Sequence, residues 1–350
     1  MAELRYHDQQ EKTDYYKLKD ILDKLPVFCK DFFRGIEPRT QSKTRLAYAY
    51  DLTVFFQFLK NTNPIIKDIN IQALTVDILD KITVKDIEEY MEYLKYRPDE
   101  DNNEIINKET GIKRKIASLK SFYNYYYEKQ DIKTNPPALV RLPKIKQKDI
   151  IRLDYNEVAR LLDEVDSGEG LTERQKRFHK ITRKRDLALI SLLLGTGMRI
   201  SECIGIDINQ INFEETAVNI HRKGGKEETV YFSDEVLVPL LSYYEERKHM
   251  IPEAGSEMAF FLSLQNKRLS VRSAEKLVKK YSEIVTPLKH ITPHKLRSTY
   301  GTHLYQETGD IYLVADVLGH ADVNTTKKHY AAIGEDRRRA ARKAVKLREI

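Results

Sequence analysis

The sequence has little cysteine, no glycine-rich phosphate loop and no apolar run long enough to cross a membrane. Its two cysteines, Cys29 and Cys203, are too few for a disulfide framework and, alone, for a zinc site. Free cysteine packs like a small hydrophobic residue, so both are expected in a core rather than as metal ligands. Without a phosphate loop, nucleotide hydrolysis has no support in the sequence.

The composition is typical of a globular protein with room for about two domains. Of the 350 residues, 41% are hydrophobic and 32% are charged. The opening MAELRYHDQQEK lacks the apolar core of a signal peptide. We therefore expect a cytoplasmic protein that has no membrane partner.

Positive charge exceeds negative charge and is concentrated in runs. Lys and Arg number 60 against 53 Asp and Glu, which gives a formal net charge of +7 and a pI near 9.0. Such runs suit a surface that binds a polyanion, but a merely solvated basic face would show the same charge, so both interpretations stay open. The runs are KRKIASLK, RLPKIKQK, ERQKRFHKITRKR and EDRRRAARKAVK.

Apolar spacing in the first part of the chain predicts a small helical bundle over residues 41–135, preceded by a polar helical extension over residues 1–40. Arg114, Lys115 and Lys120 are predicted to face away from the core and to form a basic outer surface. The predicted buried stripes are Leu46, Tyr50, Val54 and Phe58, then Ile87, Met91 and Leu94, then Ile112, Ile116, Leu119, Tyr123 and Tyr126.

A break in this periodicity predicts the boundary between two domains. The consecutive prolines Pro136 and Pro137 are expected to forbid helix, so residues 136–150 are predicted to be a basic linker. Asp154 is expected to cap the first helix of a second domain over residues 151–350.

The second domain is predicted to be mostly helical with one small sheet. RDLALISLLLGTGMR is typical of a buried helix stopped by Gly195 and Gly197. Two strands, at residues 216–221 and 228–232, are predicted on either side of a Gly-Gly turn. Residues 166–184 have no clear period and are expected to form a loop.

Four separated stretches carry polar groups that a helical core does not require. Glu202 lies one helical turn after Arg199 and can orient it, and His294 shares a helix face with Arg297. Singly, each stretch has an ordinary explanation as a surface arginine, a solvated lysine or a half-buried tyrosine. The stretches are GTGMRISE with Arg199 and Glu202, RKGGK with Lys223 and Lys226, TPHKLRSTYGTH with His294 and Arg297, and LGHADVNTTKKHY with His320 and Tyr330.

In this order the stretches resemble the catalytic boxes of the tyrosine recombinase family, also called phage-type integrases, and within it the Xer-like members. The resemblance runs from about Leu46 to the C-terminus. It implies a mainly α fold, with a helical core-binding domain that binds DNA and a mostly helical catalytic domain that holds a small β-sheet. The catalytic residues that it implies are Arg199, Lys223, His294, Arg297, His320 and the nucleophile Tyr330, with Glu202 as a supporting carboxylate.

The residue types suit phosphodiester cleavage. Guanidinium groups can hold phosphate oxygens, which is the role implied for Arg199 and Arg297, and His320 is expected to add a hydrogen bond. The resemblance implies His294 as the proton acceptor for Tyr330. A hairpin lysine can protonate the departing oxygen; Lys223 matches the family and Lys226 is the alternative. No cofactor and no metal ion are expected.

The resemblance also implies double-stranded DNA as the partner and a homo-tetramer on two DNA sites. The last residues, EDRRRAARKAVKLREI, are either a C-terminal helix that docks on a neighbouring protomer or a solvated basic tail that touches phosphates. The N-terminal forty residues do not resemble the small β-rich arm-binding domain of many integrases. This favours resolution of chromosome or plasmid dimers, with integration of a phage or transposon as the alternative.

Two competing hypotheses keep part of these properties. A type IB topoisomerase would share the cleavage chemistry without strand exchange, and a non-catalytic helical DNA-binding protein would share only the basic helices.

The interval of ten residues from His320 to Tyr330 is one longer than in many Xer-type members. One residue turns a helix by about 100°, so the Asp322–Thr326 turn must absorb the difference or Tyr330 is displaced.

Overall fold

The computed structural model describes residues 6–98, 103–144, 151–222, 227–320 and 322–330, with the backbone alone for residue 325 and residues 328–330. The chain divides into two compact units, Met1–Lys148 and Asp149–Ile350, which have separate hydrophobic cores. Helices dominate and the sheets are small and antiparallel, so the predicted mainly α fold is confirmed. Among the described residues, no helix has the length and apolar character of a membrane span.

The first unit is a helical bundle around an aromatic core. Phe122 packs edge-on against Phe32, with ring centroids 5.1 Å apart, and against Phe56 at 6.2 Å. Edge-to-face pairs of this kind add to the free energy gained by burial. The elements are α1 (Tyr6–Leu22), α2 (Cys29–Ile36), α3 (Ser42–Thr62), α4 (Val84–Tyr93), the hairpin of β1 (Tyr96–Pro98) and β2 (Glu104–Ile106), α5 (Glu109–Glu128) and α6 (Pro136–Leu139).

The predicted stripe of α5 is buried throughout, but one of its lysines is not at the surface. Lys115 is only 9% exposed, and its Nζ lies 3.0 Å from Oδ1 of the buried Asp51 on α3. The prediction that Lys115 belongs to a basic outer face is therefore wrong. The physical reason is a carboxylate that comes from another helix, which the period of α5 alone does not reveal.

Asp51 gathers four donors from α5. Its two oxygens accept hydrogen bonds from Arg114 Nη1 and Nη2 at 2.5 and 2.6 Å, from Lys115 Nζ, and from Ser118 Oγ at 2.6 Å. The charges of Asp51 and Lys115 are both buried and need such complete pairing, because an unpaired buried charge would carry a large desolvation cost. Arg114 is half exposed and lines a cavity of about 770 Å³ next to the β1–β2 hairpin.

The prolines of the predicted linker begin a helix rather than preventing one. Pro136 and Pro137 occupy the first turn of α6, and the side chain of Asn135 accepts a hydrogen bond from the Ala138 N–H. A first-turn proline lacks only an N–H that would have no helical partner anyway, so the expectation of no helix at this point is wrong.

The second unit has its own helical core and contains all the predicted site residues. The predicted cap at Asp154 is present as a reciprocal pair, in which Glu157 N–H donates to Asp154 Oδ1 and Asp154 N–H donates to Glu157 Oε2, both at 2.8 Å. The helices are α7 (Tyr155–Ser167), α8 (Glu173–Thr196), α9 (Ile200–Gly205), α10 (Asp234–Arg247), α11 (Val271–Val285), α12 (Pro293–Thr308), α13 (Ile311–Val317) and α14 (Val323–Tyr330).

The predicted strands are confirmed to within one residue at each end. They are β4 (Ala217–His221) and β5 (Glu227–Tyr231), which pair antiparallel, and a two-residue strand β3 (Ile211–Asn212) extends the sheet beside β4. This third strand was not predicted, because two residues are too short to show a period.

Helix α8 differs from its prediction at both ends. Residues 173–184, expected to be a loop, form its first half, and their charged side chains conceal the buried face made by His179, Thr182 and Asp186. At the other end, Gly197 terminates the helix with φ of 62°, but Gly195 lies inside it. A Cβ at Gly195 would clash with Val236 of α10, so this glycine permits close helix packing.

Replacing Asp51 with alanine should destabilise the first unit. Lys115 would stay buried without its carboxylate, and breaking a buried pair in this way costs about 3 to 5 kcal/mol. Hydrogen exchange of α3 and α5 peptides in the full chain under increasing denaturant measures this loss. The control is Asp23→Ala, which removes an exposed pair with Lys30 and should leave the free energy of opening nearly unchanged. Equal effects of the two substitutions would contradict the prediction.

Candidate active site

Arg199 is fixed by the turn that follows α8. Gly197 ends α8 in a left-handed conformation, and two residues later Arg199 becomes the N-cap of α9. Both its backbone N–H and its Nη1 donate to Glu202, each at 2.7 Å. The Glu202 side chain is only 4% exposed and that of Arg199 is 35% exposed, so a buried carboxylate holds a guanidinium that still reaches the surface.

Arg297 ties together the ends of two helices. It lies on α12, is 4% exposed, and donates through Nη1 to Gly197 O at 2.6 Å and through Nη2 to Leu318 O. These carbonyls follow α8 and α13, where the helix dipole leaves partial negative charge that favours a cation. Burial of Arg297 is therefore offset by oriented backbone dipoles.

Three arginines from different elements meet on three consecutive carbonyls at the end of α13. Val317 O accepts from Arg222 Nη2 at 2.7 Å, Leu318 O accepts from Arg297, and Gly319 O accepts from Arg199 Nη2 at 3.4 Å. Arg199 and Arg297, both predicted site residues, thus converge directly before His320. Arg222 was not predicted as part of this arrangement.

His320 is oriented by the helix that ends at Tyr330. Gly319 precedes it with φ of 60°, and the His320 N–H donates to Ala315 O at 2.9 Å. Its Nδ1 is paired at 2.7 Å with Oγ1 of Thr326, which is fully buried on α14. Thr326 is therefore a second site residue that the sequence did not single out.

The turn between His320 and α14 is short. Asp322 Oδ1 accepts a hydrogen bond from Asn324 N–H at 2.9 Å, and α14 begins at Val323. Tyr330 is the last residue of this helix, about 10 Å along its axis from the first. The Tyr330 side chain lies outside the described residues, so its position as nucleophile stays a prediction, as does the effect of the longer interval.

The remaining predicted residues lie on the same unit. His294 is exposed in the first turn of α12, three residues before Arg297, and its carbonyl accepts from Ser298 Oγ at 3.0 Å. Lys223 and Lys226 are outside the described residues, which stop at Arg222 and resume at Glu227.

Both cysteines are packed in cores, as predicted. Burial raises the pKa of Cys203 well above its usual value, and Cys29 is shifted in the same direction for the same reason. Each therefore stays a neutral thiol. Across the described ranges, no three His, Cys, Asp or Glu side chains gather in a way that could hold a metal ion.

Comparison with known proteins identifies the family of this chain. Residues 152–337 match the phage integrase family. The tyrosine recombinase XerC of Caldanaerobacter subterraneus subsp. tengcongensis is 31% identical over 87% of this chain and 82% of its own length. The chain belongs to the phage integrase family of tyrosine recombinases.

Further similarities cover nearly the whole chain. The tyrosine recombinase XerS of Streptococcus agalactiae serotype III is 27% identical over 93% of this recombinase and 97% of its own length. The fold is similar to that of the XerH site-specific recombinase, solved bound to a palindromic difH substrate in a post-cleavage complex. That structure has a TM-score of 0.63 and 19% identity over 86% of this chain and 80% of its own. The predicted Xer-like family membership is confirmed.

Removing the charge of Glu202 should slow DNA cleavage by the recombinase. Glu202→Gln loses the charged partner of Arg199, and misplacing a binding group by about 1 Å can cost on the order of 100-fold in rate. The measurement is the rate of covalent protein–DNA adduct formation on a nicked substrate at saturating protein. Glu214→Gln, an exposed glutamate on the same unit, is the matched control and should keep the normal rate. A Glu202→Gln rate equal to that of the control would disprove the role given to this carboxylate.

Proposed function

We propose that the protein is a site-specific DNA recombinase that cleaves and rejoins strands through a 3′-phosphotyrosyl intermediate. Its role would be Xer-type resolution of chromosome or plasmid dimers in the cytoplasm. Relatives named XerC and XerS, matched over 82% and 97% of their own lengths, support this type of recombination.

One observation carries the proposed chemistry. Arg199 and Arg297, far apart in the sequence, lie on adjacent carbonyls immediately before His320. Two guanidinium groups beside an imidazole suit a scissile phosphate, because they can bind the non-bridging oxygens as negative charge grows during attack.

The reaction then needs one nucleophile and two proton transfers. Tyr330 Oη attacks phosphorus and gives its proton to His294, while the bond from phosphorus to the 5′ oxygen breaks. Lys223 protonates that oxygen, with Lys226 as the alternative donor. The 5′-hydroxyl of a second strand reverses these steps and releases Tyr330.

The proposed reaction uses neither ATP nor a metal ion. The phosphotyrosyl bond conserves the energy of the phosphodiester, and the arginines supply the positive charge that a metal would otherwise supply.

The proposed partner is double-stranded DNA, held by the basic runs of both units and by four protomers on two sites. The excess of 60 basic over 53 acidic side chains supports phosphate binding, which should weaken steeply with salt. Residues 335–350, assigned to assembly or to a basic tail, lie outside the described residues.

Tyr330→Phe should abolish the covalent adduct on a nicked DNA substrate, because phenylalanine has no oxygen to attack phosphorus. The assay contains EDTA and no ATP, so adduct formation by the unmodified protein also tests metal and ATP independence. Tyr312→Phe, at an exposed tyrosine of α13, is the control and should form the adduct normally. An adduct that persists in Tyr330→Phe would reject this nucleophile.

The same protein should recombine DNA that carries paired target sites. Relaxation of supercoils without recombination would indicate a topoisomerase. DNA binding with no adduct at all would indicate a non-catalytic protein.

A substrate with sulfur in place of the bridging 5′ oxygen should identify the general acid. A thiolate departs without a proton, so the variant that lacks the proton donor regains cleavage on this DNA. We expect Lys223→Ala to be slow on ordinary DNA and restored on the sulfur substrate, with Lys226→Ala close to normal on both. The opposite pattern would assign the role to Lys226.

A further inference from the structure

Arg222 is a buried cation for which the proposed chemistry has no use. It follows β4, in which Val218 and Ile220 face the core, and it continues that alternation with a side chain 6% exposed. Its Nη2 donates to Val317 O at 2.7 Å and forms an ion pair with Glu228, 2.8 Å from Oε1. One nitrogen thus joins the sheet to the end of α13.

The rest of this guanidinium is poorly satisfied. Nε and Nη1 of Arg222 are buried and have no hydrogen-bond partner among the described residues. Unpaired buried donors cost free energy, and a hydrophobic side chain of similar volume is often equally stable in place of a buried ion pair. Stability alone therefore does not explain an arginine at this position.

The contacts of Arg222 join the two segments that lead to predicted catalytic groups. Glu228 lies on β5 opposite Ile220 of β4, so the pair with Arg222 closes the base of the hairpin whose next residue is Lys223. Val317 stands three residues before His320. Gly319, between them, has φ of 60°, and a Cβ there would clash with Arg222 Nη1.

We propose that Arg222 is a positioning residue for strand cleavage, which fixes the base of the β4–β5 hairpin to the end of α13 and so holds the hairpin lysine at the departing 5′ oxygen. The inference rests on the proposed function, in which Lys223 or Lys226 protonates that oxygen. In this proposal Arg222 acts through the hairpin and has no direct role at the phosphate or the nucleophile.

Arg222→Met tests the inference in the full chain, because methionine fills space without making the two contacts. Cleavage of ordinary DNA should slow by about 100-fold, the scale expected for a displaced catalytic group. On DNA with a bridging 5′ sulfur, the variant should return to within a few-fold of the unmodified protein, as is also expected of the lysine variant. Thermal unfolding by circular dichroism should be unchanged.

Two further variants refine the test. Arg222→Lys keeps the charge but has a single nitrogen to reach both partners, so partial recovery on ordinary DNA is expected. Glu228→Gln loosens only the hairpin side of the contact, at a partly exposed residue, and should give a smaller defect that sulfur also relieves. This variant keeps the test valid if Arg222→Met fails to fold.

Each outcome supports or overturns the inference. Normal cleavage of ordinary DNA by Arg222→Met and Glu228→Gln would overturn it. A defect equally large on sulfur DNA would also overturn it, since that result places the fault at the phosphate or nucleophile. If no lysine variant is relieved by sulfur, the proposed general acid fails first, and the positioning role fails with it.

Discussion

The architecture of the site depends on three carbonyl groups at the end of α13. Val317, Leu318 and Gly319 each accept a hydrogen bond from an arginine, and these arginines lie directly after β4, on α12 and at the start of α9. A helix C-terminus carries partial negative charge, so it can hold several cations whose side chains would otherwise repel one another. The carboxylates of Glu202 and Glu228 complete the balance for Arg199 and Arg222.

Two glycines make this convergence possible. Gly197 and Gly319 both have positive φ, near 60°, which a side chain with a Cβ adopts only with strain. A Cβ on Gly197 would clash with Tyr300, and one on Gly319 would clash with Arg222. Each glycine therefore turns the chain and also admits a large neighbour, which is why the GTGMR and LGH stretches place glycine so close to predicted catalytic residues.

The sequence was sufficient for several features that depend on local order, although the predicted buried stripe of α3 is wrong at Tyr50, which is 53% exposed. Helical period placed the stripe of α5, the Asp154 cap placed α7, and alternation placed β4 and β5. It was insufficient where a distant partner decides the outcome. Lys115 is buried because Asp51 comes from another helix, and the first half of α8 is helical although its charged residues hide the period. No local pattern in the sequence reveals such contacts between distant segments.

Arg222 lies between these two cases. The alternation Val218, Ile220, Arg222 was visible and pointed the arginine inward, yet a charged residue at the end of a strand is ordinarily taken as exposed. Among the residues that the structure describes, the carbonyl of Val317 and the carboxylate of Glu228 make its burial tolerable.

The same dependence on distant partners explains how the site can be prepared before DNA binds. Arg199 has five N–H donors, and its contacts with Glu202 and Gly319 fix the plane of the guanidinium. Its side chain remains 35% exposed. Under the proposed function, a phosphate that approaches this face would meet a group already oriented, so little reorganisation would be needed as charge develops on its oxygens. In the proposed reaction, the carbonyls at the end of α13 therefore contribute through the arginines that they orient.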